Sequence, residues 1–142
     1  MFNLHHRINR ILIKFSYRFG VSKLLSMPKM LALDPTNLCD LKCPLCPTGL
    51  RDKTVERGSI TLDEFKTIID RLAKHLQSIN LYSWGEPLLH KSLVDMIRHT
   101  AISHKVRTIT SVHLGNLSDE QVEGLATSGL NKLIVSVDGS TH

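Results

Sequence analysis

No cysteine stands outside one eight-residue stretch of this 142-residue sequence. Three thiols in one place exclude a disulfide framework, because three is odd and no secretory signal is present. The opening Met1–Arg7 has neither an apolar core nor a small-residue cleavage site. No apolar run reaches the ~20 residues of a membrane-spanning helix. No acidic residue occurs before Asp34. Residues 1–33 carry Arg7, Arg10, Lys14, Arg18, Lys23 and Lys29, a charge of +6, so a net charge of +5 leaves −1 for everything after them. The basic character belongs to an extension, and the remainder gives no footprint for nucleic acid. Low-complexity tracts are absent. With 22% charged and 42% hydrophobic residues, the chain has the balance of one soluble globular domain. Its cysteine usage fits a reducing, cytoplasmic setting.

The cysteines read Cys39-Asp-Leu-Lys-Cys43-Pro-Leu-Cys46. Spending every thiol in one loop points to a soft metal centre. Three thiolates can hold three corners of a four-iron cluster and leave one iron open to a small molecule. Structural zinc is normally closed by a fourth ligand. No histidine lies in the loop, and those nearest in sequence, His75 and His90, read as helix or helix-start positions.

Around that loop, strand and helix signals alternate. Met30–Asp34 is a short apolar run. Thr61 opens a helix with Glu64 at the capping-box position, and Phe65, Ile68, Ile69, Leu72 and Leu76 follow at helical spacing. Ser78–Trp84 reads as a second strand, and Leu93–Ala101 as a second helix. Val106–Ser111 is a third strand. Ser118, with Gln121 at its box position, caps a third helix stopped by Gly129. Leu133–Val137 is a fourth strand, apolar as a buried parallel strand should be. The fold class is therefore α/β, a partial (β/α) barrel of about four parallel strands with crossover helices over residues 30–142. Residues 1–29 form a basic amphipathic extension. The connection Asn37–Ser59 is long for such a unit, and long loops of this kind are usually functional.

Special residues gather after each strand, where (β/α) barrels build their sites. The cysteines follow the first strand. Trp84, Gly85, Glu86 and Pro87 follow the second. Ser111 and His113 follow the third, and Ser136 and Asp138 end the fourth.

Leu33–Gly49, with its C-x3-C-x2-C triplet, resembles the signature of the radical S-adenosylmethionine (radical SAM) enzymes. Trp84-Gly85-Glu86-Pro87 is similar to the Gly-Gly-Glu-Pro element of that family, with Trp84 in place of the first glycine. Ser136-Val-Asp138-Gly139 is similar to its fourth-strand tip. Leu45 stands where the family often places an aromatic residue near the adenine. The resemblance implies a [4Fe–4S] cluster on Cys39, Cys43 and Cys46. It implies S-adenosylmethionine held near Trp84, Gly85, Glu86, Pro87, Ser111, Ser136 and Asp138. It also implies a flavodoxin- or ferredoxin-type electron donor, and reductive cleavage of SAM to a 5′-deoxyadenosyl radical that abstracts hydrogen from a substrate. The lead-in looks like the branch that often carries a C-terminal SPASM-type domain. Four strands are fewer than the family's usual six. The alternative is a non-catalytic fragment or subunit that needs a partner to complete the barrel, with an apolar edge at Leu133–Val137. No catalytic acid or base is identified; His113 is a candidate substrate contact or an ordinary loop histidine.

In the extension, Leu4, Ile8, Ile11, Leu12, Phe15 and Phe19 share one helical face and Arg7, Arg10, Lys14 and Arg18 another. Such a helix can rest on an anionic membrane. The favoured expectation is that residues 1–27 instead turn the apolar face onto the protein.

Overall fold

The computed structural model describes residues 4–115 and 117–137. Its centre is a four-stranded parallel sheet in the order β1-β2-β3-β4, with β1 Met30–Ala32, β2 Ser78–Asn80, β3 Arg107–Val112 and β4 Lys132–Val135. Helices α2 (Leu62–Leu72), α3 (Leu93–Arg98) and α4 (Asp119–Thr127) make the crossovers, and α1 (Leu4–Phe19) precedes them. The partial (β/α) barrel is thus observed.

Local chemistry sets the helix starts. Thr61 Oγ1 accepts the Glu64 N–H at 3.2 Å while the Glu64 carboxylate accepts the Thr61 N–H at 2.9 Å. Ser118 and Gln121 repeat this exchange on α4. Each cap is worth about 1 kcal/mol. Gly129, at φ 82°, supplies the left-handed residue that ends α4. The second helix does not run on as α-helix to Ala101: after Arg98 it widens into a π turn, His99–Ser103.

Strands β1, β2 and β4 are shorter than their apolar runs, and β3 keeps its length one residue further on. Pairing nevertheless continues past β1 and β2, where Leu33 N–H donates to Asn80 O and Leu81 N–H to Ile109 O. Ile79, Leu81, Thr108, Thr110 and Val112 share the buried sheet face and pack with Phe65, Ile69, Met96 and Ile97. The hydroxyls of Thr108 and Thr110 satisfy Val106 O and Leu81 O, so burying them costs little.

Two expectations need correction. The fourth strand is not buried: Leu133, Val135 and Val137 are all exposed, because among the described residues nothing pairs with the outer side of β4. This is the apolar edge expected of an open sheet. The extension also sits the other way round from the favoured expectation. Leu4, Ile8, Ile11, Phe15 and Phe19 are exposed, while Asn9 and Ser16 are the buried residues of α1. The Asn9 side chain donates to Met27 O at 2.9 Å and accepts the Met27 N–H at 2.8 Å. That pair of bonds, rather than the apolar stripe, fixes the inward face.

Candidate cluster and cofactor site

The cysteine loop is tied down at both ends. Thr36 and Ser59 form an antiparallel bridge. Thr36 Oγ1 donates to Gly58 O, and it accepts from the Leu38 N–H and the Ser59 hydroxyl. Asn37 donates to Glu56 O and accepts the Gly58 N–H, and Ile60 N–H reaches Pro35 O. The sequence Asp34-Pro35-Thr36-Asn37 therefore staples residues 56–60 and turns a long connection into a closed loop.

Inside it, the Cys46 N–H donates to Cys43 O at 3.2 Å and the Leu50 N–H to Cys46 O at 2.8 Å. Arg57 Nη2 holds Thr48 O at 3.0 Å. Gly49 lies against the Cys43 backbone so closely that a Cβ there would sit 2.6 Å from Cys43 N and O. The glycine three residues after the last cysteine is thus required by the fold of the cysteine loop itself.

The turn after β2 packs onto the entry to this loop. A Cβ on Gly85 would lie 1.8 Å from Thr36 O, so this glycine answers to the protein's own backbone, a reason not legible in the motif. The Trp84 N–H donates to the Asp34 carboxylate at 3.2 Å, and the Glu86 N–H to Leu38 O at 2.8 Å. Burial pushes the Asp34 carboxyl above its ordinary value, against the pull of the Trp84 and Ser83 N–H groups. Both of these turn N–H groups are used within the protein. A ligand ammonium needs acceptors, so their use costs such a ligand nothing.

Glu86 is only 4% exposed. Its carboxylate accepts the Leu88 N–H at 3.0 Å and the His113 N–H at 3.1 Å. The His113 ring lies 3.3 Å from Glu86 and 2.8 Å from Asp40 Oδ1. Glu86, His113 and Asp40 thus join the tips of β2 and β3 to the residue after Cys39. Asp40 is absent from the sequence reading, and the motif offers no signal for it, because its partner lies 73 residues away.

All three cysteines are free and partly exposed. Burial, more than the nearby Asp40 and Glu86 charges, raises the Cys39 thiol above its ordinary value. The donor set can be tested against zinc. A tetrahedral ion ~2.3 Å from each thiolate needs sulfurs ~3.8 Å apart. The three cysteines are not among the clusters whose ligand atoms all fall within 4.8 Å; the one such cluster here joins Cys39 to Asp40 and His113 and leaves out Cys43 and Cys46. His90 is held by Ile60 O and the Ser92 N–H. The three thiols are thus not gathered as a single tetrahedral ion would hold them.

The remaining predicted residues are less gathered. Ser111 alternates with buried Val112, so it projects from the sheet face away from the helices, the face of Asn80. Asn80 Oδ1, at the carboxyl end of β2, is buried with no hydrogen-bond partner among the described residues. Ser136 is exposed, its N–H bonded to Val112 O. Asp138 lies outside the described residues. The Leu45 side chain is 95% exposed. A groove of about 670 Å³ runs between Asp34–Asn37, Thr48, Arg57 and Trp84, but no cysteine lines it.

The profile of the Radical SAM superfamily matches residues 33–142. The chain is 35% identical over 124 residues to the PqqA peptide cyclase of Rhodopseudomonas palustris, covering 85% of this chain and 32% of that protein. It is 31% identical over 117 residues to the AdoMet-dependent heme synthase of Methanosarcina barkeri, covering 82% and 33%. Among solved structures, BtrN in complex with AdoMet and 2-DOIA superposes with a TM-score of 0.68 at 24% identity, covering 82% of this chain and 49% of that one. Streptococcus suis SuiB bound to S-adenosylmethionine gives 0.65 at 20%, covering 88% and 28%. The chain belongs to the radical SAM superfamily, whose members are enzymes that use an iron–sulfur cluster and SAM. It spans about a third of the length of these curated relatives.

Proposed function

We propose that this chain forms the cluster- and SAM-binding part of a radical SAM enzyme. The observation that carries the reading is the braced loop that presents Cys39, Cys43 and Cys46 beside the Gly85 turn, at the carboxyl ends of parallel strands. Cys39, Cys43 and Cys46 are the ligands of a [4Fe–4S] cluster with one open iron. When bound, the cluster and SAM together supply, on one-electron reduction, a 5′-deoxyadenosyl radical that removes hydrogen from substrate. The chain's own residues do the positioning. The Asp34–Asn37 staple and Gly49 hold the thiols in one loop. The Trp84–Pro87 turn, Ser111 and Ser136 line the SAM side, and Asp138 is a further candidate carried from the sequence. Glu86 and His113 keep the second and third strand tips in register with Cys39. A flavodoxin- or ferredoxin-type protein is the electron donor, in a reducing, cytoplasmic setting. The relatives are named for a peptide, a haem and GTP, and none of these is carried over as the substrate.

Anaerobic reconstitution tests the reading. About four irons and four sulfides per chain are expected, with an electron paramagnetic resonance signal that SAM perturbs. Stoichiometric zinc without visible absorbance sinks it. A second reading rests on the exposure of Leu133 and Val135. In it, this part of the barrel binds the cluster through Cys39, Cys43 and Cys46 but turns over only when further strands, from the same gene or a partner, cover β4. Cluster loading without 5′-deoxyadenosine formation supports that reading.

A further inference from the structure

Helix α1 buries Asn9 and Ser16 against the protein and leaves most of its apolar residues in water, with Leu12 and Ile13 half-buried. Leu4, Ile8, Ile11, Phe15 and Phe19 are between 48% and 66% exposed. Apolar side chains gain by leaving water in proportion to the area covered, so an unoccupied stripe of five is a large unclaimed contribution. At 3.6 residues per turn the five fall within about 80° of arc. Arg7, Arg10, Lys14 and Arg18 fill the adjoining ~80°, and Asn9 and Ser16 lie about 100–120° round from the middle of the stripe on its other side, past half-buried Leu12. The Arg18 guanidinium sits 5.9 Å from the Phe19 ring, across the seam between the basic and apolar strips.

The charge selects the occupant. Residues 1–33 hold six cations and no anion. The segment after α1 continues the theme, with Leu24 and Leu25 exposed beside Lys23. A second copy would set this cationic strip against an identical one. An anionic bilayer offers headgroup phosphates to the arginines and acyl chains to the stripe. It does so with the helix lying in the interface, since no helix among the described residues is long and apolar enough to cross.

Position keeps this surface apart from the cluster site. Asn9 grips Met27, just ahead of β1, and Lys29 O accepts the Gln77 N–H ahead of β2. Helix α1 therefore lies toward the amino ends of the strands, and the cysteine loop follows their carboxyl ends.

We infer that α1 is an in-plane anchor that docks this protein on anionic lipid bilayers, apolar stripe inward, with the cluster end turned away from the membrane. Flotation of the 142-residue chain tests it, using phosphatidylcholine vesicles with and without phosphatidylglycerol. The chain should float with the anionic vesicles at least tenfold more than with neutral ones, and less as salt rises. The double variant Ile11→Ser, Phe15→Ser should lose at least tenfold of that binding. Arg10→Gln, Lys14→Gln should lose its preference for anionic lipid. Both change exposed residues, and unchanged circular dichroism and iron content confirm that each variant is intact. Three results would overturn the proposal: no flotation of the parent chain, equal flotation with neutral vesicles, or full binding by the Ser variant. A parent dimer in size-exclusion chromatography that the Ser variant makes monomeric, with no vesicle binding, would overturn it in favour of a second copy.

Discussion

The two ends of the sheet are built on opposite principles. At the carboxyl end, backbone packs on backbone with no room for a methyl group at Gly49 or Gly85. Thr36, Asn37 and Glu86 are each satisfied by several partners. At the amino end, the Asn9 side chain grips Met27 while α1 leaves Leu4, Ile11, Phe15 and Phe19 exposed. The positive-φ Gly20 after it has nothing within 4 Å of a Cβ. Tight, over-determined geometry belongs where reacting groups must be held, and a loosely tied, adhesive surface belongs where contact with a large partner is made.

The largest expected effect is at the tight end. Replacing Cys39, Cys43 or Cys46 with Ala should abolish the cluster, read as loss of iron, sulfide and visible absorbance after reconstitution. Retention of a full complement of iron by any of the three variants would remove that cysteine from the ligand set.

The glycines give the next contrast. Gly85→Val must displace Thr36 O, so it should cost about 3 kcal/mol in urea unfolding and lower cluster loading as the loop entry shifts. Gly20→Ala meets no atoms and pays only for its left-handed φ of 61°, about 1 kcal/mol, with cluster loading unchanged. Equal costs at the two positions would show that the turn can move away from the loop, and the claim of over-determination would fail.

Asn9→Ala removes both bonds to Met27 and leaves a partly buried N–H and C=O unpaired. It should cost about 2 kcal/mol, felt locally. Hydrogen exchange should quicken in α1 and at Met27 while the strands and the iron content stay as they were. Global loosening would mean that the extension is integral to the core.

What could be read from the sequence follows the range of the interactions. Both capping boxes were legible because side chain and backbone partner are three residues apart. The cysteine triplet and the Gly85 turn were legible as patterns, since a motif preserves the residue types its geometry needs. The bond between Asp40 and His113 was not, because nothing local marks either residue as the other's partner. The orientation of α1 is not legible in the sequence for a related reason. Periodicity shows which residues share a face, and the assumption that an apolar face turns inward was overruled by one asparagine with both its polar atoms matched to Met27. The exposure of β4 has the same root: an apolar run shows that a strand wants burial, not that a neighbour is at hand.

The smallest effect belongs to the flank between the two ends. The π turn brings His99 and His104 to one place, with ring centroids 4.8 Å apart, and the Nε2 of each lies 2.7 Å from Asp70 Oδ1 on α2. Hydrogen bonds from His104 and then His99 hold the Asp70 carboxyl below its ordinary value. The folded state therefore binds fewer protons at Asp70 than the unfolded chain does. Its stabilisation is complete above the ordinary aspartate value of about 4, and it fades as the pH falls through the lowered folded value. Asp70 is solvent-facing, so the contribution is small. Asp70→Asn should be slightly less stable than the parent at neutral pH in urea titrations, and the gap should close on acidification below about pH 4. A gap that widens with acid would mean that Asp70 is protonated more readily in the folded chain, and the assignment of the two histidines as its hydrogen-bond donors would have to be abandoned.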